Sequence, residues 1–360
     1  MNALEIKIHR MIEADGPISV ALYMALCLGD SEHGYYMKKE AFGTKGDFIT
    51  APEVSQFFGE IIGVFLALSL HQWDAEKPVA LVELGPGRGV LMADVLRTLK
   101  QLRPAHFSVL KVAMVETSPR LRGLQAAAVA PFKTVTFHDD IASLPTDMPL
   151  LVIGNEFLDA LPMHQYVKSR ALWRERVVTV QDGKLAFGLG TATLAPNELP
   201  IGAADAEDGT IFEVAPARAA VVADIALRLK AQSGTALLID YGHLKSGFGN
   251  TFQAMRTHQF AKILEPPGEV DLTSHVDFEP LQKAAIAAGC RTGAMTQSNF
   301  LLDLGLLERA GAFGAGKSLE FQSGVQAAVE RLVGPNAMGQ LFKVLCFGNT
   351  LPPPFENAYA

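Results

Sequence analysis

Residues 82–91 read Val82-Glu83-Leu84-Gly85-Pro86-Gly87-Arg88-Gly89-Val90-Leu91. The apolar run Pro78 to Val82 before them reads as a short buried strand. Leu91 to Leu102 after them carries apolar residues at helical spacing. Strand, glycine turn, helix is the layout of a nucleotide-binding βα unit. A glycine at such a turn leaves no side chain between the backbone and a ligand.

The glycine rhythm separates candidate ligands. A dinucleotide fingerprint, Gly-x-Gly-x-x-Gly, would need its third glycine at Val90, which disfavours a dinucleotide-dependent oxidoreductase. Here Glu83 is followed by Gly85, Gly87 and Gly89. That acidic-x-Gly-x-Gly-x-Gly pattern resembles the first motif of class I S-adenosylmethionine-dependent methyltransferases. This cofactor has no diphosphate to cradle, so a different spacing is chemically reasonable.

Working outward, the chain alternates strand and helix signals on both sides of this turn. Val109 to Val115 is expected to be a second strand, ending in Glu116-Thr117-Ser118-Pro119. A carboxylate at that strand end can accept both ribose hydroxyls, as in dinucleotide folds. Thr134 to Phe137 is a third strand, followed by Asp139-Asp140, where a carboxylate could accept the adenine amino group. Leu150 to Gly154 is a fourth, wholly apolar and so expected to be buried on both faces. It runs into Asn155-Glu156-Phe157-Leu158-Asp159-Ala160-Leu161-Pro162, at the edge where open α/β sheets place their ligands. One helical turn would put Glu156 and Asp159 on one face.

The segment 1–75 is expected to be helical with one glycine-rich interruption. Leu4, Ile8, Met11 and Ile12 keep helical spacing, and Gly16-Pro17 ends that helix. Ile18 to Leu28 is too short to span a bilayer, which needs about 20 residues, and reads as a buried helix. After Gly34-Tyr35-Tyr36 comes the loop-like Gly46-Asp47-Phe48-Ile49-Thr50-Ala51-Pro52-Glu53. Proline early in a first turn, then Phe57, Ile61, Ile62, Phe65 and Leu66, marks a helix start. Beyond residue 165 the alternation breaks. Leu172 to Val180 and Lys184 to Leu189 flank Gln181-Asp182-Gly183, a hairpin signal. Ala236 to Ile239 resumes a buried strand ending in Asp240-Tyr241-Gly242-His243, residues 244–280 read as irregular, and Phe342 to Phe347 closes as a strand.

Bulk composition bounds the function. The chain has 360 residues, 49% of them hydrophobic, and a net charge of −7, enough for a large core and wrong for a generic nucleic-acid binder. An acidic chain suits a cationic substrate or partner. Cys27, Cys290 and Cys346 are scattered in apolar surroundings and read as buried thiols. The histidines show no metal-ligand spacing, so no metal is expected. Glu5 and Glu13 mixed with Lys7, His9 and Arg10 are unlike a signal or transit peptide, and a cytoplasmic location with no membrane insertion is expected.

Together, Gly46–Glu53, Glu83–Gly89, Asn155–Pro162, Asp240–His243 and Asp271–Phe278 resemble the MidA family, and the resemblance covers nearly the whole chain. A mitochondrial member of that family is an arginine methyltransferase needed for respiratory complex I assembly. The resemblance implies an α/β fold: a Rossmann-like class I methyltransferase sheet with an N-terminal helical cap and inserted α+β segments. Residues 1–75 would be the cap with a cofactor-covering loop. Residues 76–165 and 236–360 would be the two parts of the methyltransferase domain, and 166–235 an inserted hairpin and helix.

It further implies S-adenosyl-L-methionine as methyl donor and symmetric dimethylation of an arginine in a complex I (NADH-quinone oxidoreductase) subunit. Glu83, Gly85, Pro86, Gly87 and Gly89 would hold the cofactor, with Glu116 on the ribose, Asp140 on the adenine and Asn155 nearby. Gly46 and Thr50 belong to the loop that would close over it and exclude water. Glu156 and Asp159 would face the acceptor. Guanidinium is protonated at neutral pH, with a pKa above about 12, and needs a carboxylate to orient it. His243, with an ordinary pKa of about 6.5, could take the released proton. The alternatives are a methyltransferase for a small molecule or another protein side chain, and a non-catalytic assembly factor that keeps the cofactor site.

Overall fold

The computed structural model describes residues 1–38, 51–256, 259–264 and 266–356. The chain divides into two compact units. One comprises Met1–Phe48, Leu158–Ala220 and Lys245–His275. The other comprises Ile49–Phe157, Val221–Leu244 and Val276–Ala360.

The second unit is built on one twisted sheet. Its strands, numbered in chain order, are β1 Ala80–Leu84, β2 Lys111–Val115, β3 Val135–His138, β4 Leu150–Asn155, β5 Gly234–His243, β6 Arg291–Thr296 and β7 Phe342–Gly348. Their spatial order is β6-β7-β5-β4-β1-β2-β3, with the short strand Val276–Asp277 pairing beside the end of β5. The pairs β1–β2, β2–β3, β1–β4 and β4–β5 are parallel, and β7 runs antiparallel to both neighbours. A parallel sheet covered on both faces needs apolar side chains on both, and every residue of β1 is buried. Even Glu83 is buried there.

The helices packed on this sheet follow from residue spacing. Val90–Leu102 buries Leu91, Met92, Val95, Leu96 and Leu99 on one face and stops directly before Arg103-Pro104, since the residue before a proline is disfavoured in helical geometry. It lies against Gln56–Ser69 at unusually close range. A Cβ on Gly59 would stand 2.5 Å from the Asp94 Cβ, and one on Gly63 2.6 Å from the Thr98 Cβ. Only glycine at these two positions lets the helices approach so near. A helix does start at Ala51-Pro52 as expected, but it stops at Val54: Ser55 is extended and caps a second helix, Gln56–Ser69, by accepting from the Phe57 N–H. Gln297–Asp303 and Leu306–Gly314 are helices that the sequence reading passes over.

The first unit holds a second core around Leu4, Ile8, Tyr23, Met24, Val178 and Leu272. Its larger sheet contains the expected hairpin, with Gln181 opposite Lys184. Asp182 and Gly183 both have positive φ, +51° and +74°, the handedness a two-residue hairpin turn needs. Ile18 and Ser19, expected to begin a helix, pair as a strand with Val178 and Val177, and Ser19 caps the helix Val20–Gly29 that follows. The stretch 244–280, expected to be irregular, contains a three-stranded sheet of Gln253–Arg256, Gln259–Ala261 and Asp271–Thr273. Gln56–Ser69 belongs to the sheet unit. Cys27, Cys290 and Cys346 are all buried.

Candidate active site

From β1 the chain moves outward to β2 and β3, then returns to the other side of β1 as β4. This reversal is the topological switch point, where the carboxyl ends of parallel strands leave a crevice for a ligand. Register puts the two strand ends level: Leu84 lies opposite Gly154. Gly85 and Asn155 therefore open the crevice from either side.

Three glycines shape the first wall. Gly85, Gly87 and Gly89 have φ values of +58°, +51° and +80°, a region that costs any residue with a Cβ. The Pro86 carbonyl accepts from the Gly89 N–H at 2.8 Å and closes the turn. A Cβ on Gly89 would sit 3.1 Å from the Gln125 Cα, so this glycine also lets the helix Pro119–Val129 pack close. Glu83 lies beneath the turn, 2% exposed, and accepts from the Met92 N–H. Burial pushes its carboxyl up to about 8.

Glu116 follows β2. Its Oε1 accepts from the Ser118 N–H at 2.8 Å and its Oε2 from Gln125 Nε2 at 3.0 Å. The same Nε2 donates to the Gly87 carbonyl at 2.8 Å. Gln125 was not singled out in the sequence; mid-helix glutamine carries no local signal, and only the fold brings it to the turn. A carboxylate oxygen has two lone pairs, so Glu116 keeps acceptor capacity for a diol. Past β3, Asp139 pairs with Arg122 at 2.6 Å, and the exposed Asp140 accepts from the Ser143 N–H at 2.8 Å.

Asn155 and Glu156 form the opposite wall. Glu156 has φ +52°, one of four positive-φ residues other than glycine among those described. Its own N–H donates to the Ile239 carbonyl at 2.9 Å, which fixes the backbone in that conformation. Its Oε1 accepts from Asn155 Nδ2 at 2.9 Å and from the Ala51 N–H at 3.4 Å. Asn155 Oδ1 is buried without a hydrogen-bond partner. The segment 51–54 is tied to the glycine turn as well, through Glu53 and Arg88 at 3.5 Å. Strained non-glycine backbone of this kind costs about 1–3 kcal/mol and collects at functional sites.

The helical turn expected to join Glu156 to Asp159 is absent: left-handed Glu156 interrupts it, and 156–161 is a bend followed by a turn. The two acids fall in different compact units, Glu156 in the sheet unit and Asp159 in the other. Asp159 is 6% exposed. Its carbonyl accepts from the Ser274 N–H at 3.3 Å and from Arg218 at 3.1 Å. Tyr36 donates to Asp271 at 3.0 Å; burial, then the charges of Asp271 and Asp159, raise its hydroxyl well above the ordinary value. His243 ends β5 beside Asp277, 3.8 Å away. Gly46 and Thr50 lie outside the described residues.

These features fit a sulfonium nucleoside: a turn whose three glycines leave their backbone bare, a carboxylate at the end of the next strand, and Asn155 and Glu156 at the end of the strand on the other side. Sheet order and site define a class I S-adenosylmethionine-dependent methyltransferase. The family profile for S-adenosyl-L-methionine-dependent methyltransferases matches residues 61–296. The mitochondrial protein arginine methyltransferase NDUFAF7 of Danio rerio is 34% identical, aligned over 94% of this chain and 85% of its own length. The human protein of that name is 32% identical over 92% of this chain and 80% of its own. The crystal structure of a Burkholderia thailandensis protein bound to S-adenosyl-homocysteine superposes with a TM-score of 0.82 at 26% identity, covering 96% of this chain and 92% of that one. The chain belongs to the MidA family of S-adenosylmethionine-dependent methyltransferases. One expectation is overturned: the relatives are named as mitochondrial proteins, against the cytoplasmic location read from sequence. A folded core is shaped by packing and carries no address, so composition could not supply one.

Proposed function

We propose that the chain methylates an arginine of a protein acceptor, a respiratory complex I type subunit, to symmetric dimethylarginine. The observation that carries this reading is Glu156, held in left-handed backbone at the carboxyl edge of β4 with Oε1 already anchored by Asn155 and Ala51. A carboxylate held in a fixed place can orient a planar cation, since charge-assisted pairs with a guanidinium are directional. The relatives' name, protein arginine methyltransferase, agrees with such an acceptor.

Bound S-adenosyl-L-methionine would supply an electrophilic methyl group on a sulfonium. The glycine turn Gly85-Pro86-Gly87-Arg88-Gly89, braced from below by Glu83, would seat it, with Glu116 on the ribose hydroxyls and Asp140 on the adenine amine. Glu156 would hold the guanidinium so that one nitrogen presents its lone pair in line, which is mainly a matter of alignment. His243 would accept the proton released as the nitrogen is methylated. Mass spectrometry of cells lacking the chain tests this: an arginine should lose its methyl mark and regain it with the wild-type chain but not with Glu156→Gln. Unchanged arginine methylation would reject the acceptor.

A further inference from the structure

Arg88 is the one charged side chain of the turn Gly85–Gly89, and no step above uses it. Its side chain is 46% exposed, and its Nη1 stands 3.5 Å from Glu53 Oε1. Glu53 lies in the short helix Ala51–Val54, whose Ala51 N–H donates to Glu156 Oε1 at 3.4 Å. One short helix thus touches both walls of the crevice. The Arg88 guanidinium therefore lies on the side of the turn that faces Asn155 and Glu156. All of these residues belong to the sheet unit.

S-adenosyl-L-methionine asks more of a site than a ribose reader and an adenine reader. Its methionyl arm ends in an α-ammonium and an α-carboxylate. The walls carry Glu116 and Glu156, and the whole chain has a net charge of −7. An anionic group entering among acids is repelled unless a cation meets it. Arg122, the base beside Glu116, is already spent: its Nε donates to the Glu116 carbonyl at 2.7 Å and its Nη2 to Asp139 at 2.6 Å. Arg88 touches Glu53 through Nη1, and a guanidinium carries further N–H donors in a planar fork. That fork matches the geometry of a carboxylate.

We propose that Arg88 is a specificity-determining residue of the cofactor site: its guanidinium pairs with the α-carboxylate of the methionyl arm and sets the preference for the whole cofactor over nucleosides without that group. The inference rests on the glycine turn as the cofactor seat.

The test is calorimetric titration of the full chain with two ligands, S-adenosyl-homocysteine and S-adenosyl-3-thiopropylamine, the same molecule without its carboxylate. The wild type should hold S-adenosyl-homocysteine tighter by about tenfold or more, the size of one charge-assisted pair. In Arg88→Ala the affinity for S-adenosyl-homocysteine should fall roughly tenfold or more and that for the amine should stay within about twofold, so that the preference vanishes. Arg88→Lys, which keeps the charge and loses the fork, should fall between. If Arg88→Ala does not fold, Arg88→Lys with a near-native Tm carries the comparison. Equal wild-type affinity for the two ligands, an equal loss for both in the variants, or no loss at all would overturn the proposal and leave the seat in place. Native S-adenosyl-homocysteine affinity in Gly87→Val would remove the seat and this inference with it.

Discussion

Gln125 and Glu116 are joined side chain to side chain at 3.0 Å, and the donor nitrogen of that bond also holds the Gly87 carbonyl. One buried amide thus locks the end of β2 to the turn after β1. Gln125→Leu keeps the volume and removes the donor. It should leave both acceptors short of a partner, costing about 1–3 kcal/mol of stability by denaturant titration. S-adenosyl-homocysteine affinity should drop with it. Unaltered affinity would mean the turn holds its shape without this brace.

Gly87 supplies the other half of that contact at φ +51°. Gly87→Val places a branched side chain in a backbone region it resists and where a ligand must approach. Calorimetry with S-adenosyl-homocysteine should detect no binding. Native affinity in this variant would dismiss the glycine turn as the cofactor seat.

Glu156 makes two separable predictions. Glu156→Gln should keep cofactor affinity and lose turnover on the order of a hundredfold, as when an oriented charge is removed from a transition state. Glu156→Gly should be more stable than Glu156→Ala by about 1 kcal/mol, because only glycine relieves the positive φ. Equal melting temperatures for the two would show that the left-handed backbone carries no strain.

Much of this was legible in the residues themselves. The apolar strands and the glycine rhythm follow from local chemistry, and so does the hairpin turn at Asp182-Gly183. The left-handed Glu156 was not legible, since its conformation is imposed by a carbonyl of β5, Ile239, more than eighty residues away in sequence. Arg218 and Gln125 were invisible for a related reason. A polar residue in a helix reads as surface until tertiary structure buries it. The short strand Ile18–Ser19 was lost to the apolar run beside it, which cannot by itself tell strand from buried helix.

Glu83 predicts a pH dependence. Its ordinary value is 4.5 and burial raises the folded value to about 8. Between those values the folded chain holds a proton that the unfolded chain has released, so stability falls as pH rises. The loss begins near pH 4.5, is complete above about 8, and amounts to about 5 kcal/mol at most. Glu83→Gln should flatten this decline in Tm across pH 5–8. An identical slope in the variant would mean another group sets it.

The contact between Gln56–Ser69 and Val90–Leu102 gives a packing test. Gly63→Val would drive a side chain into Thr98, where a Cβ alone would stand 2.6 Å away. Overpacking should cost about 1–3 kcal/mol, visible as a lower Tm. A neutral result would show that the helices can separate freely.

The strand Phe342–Gly348 sits between β5 and β6 yet leaves the ribosome after both. Until it emerges, the wholly apolar Ala236–Ile239 stretch has one unsatisfied border, open to pairing with any passing chain. Synthesis of this protein is therefore guarded from the rear. Its hydrophobic centre is sealed only once this later segment has paired, and a translation interrupted before it yields a fragment prepared for aggregation rather than a smaller enzyme.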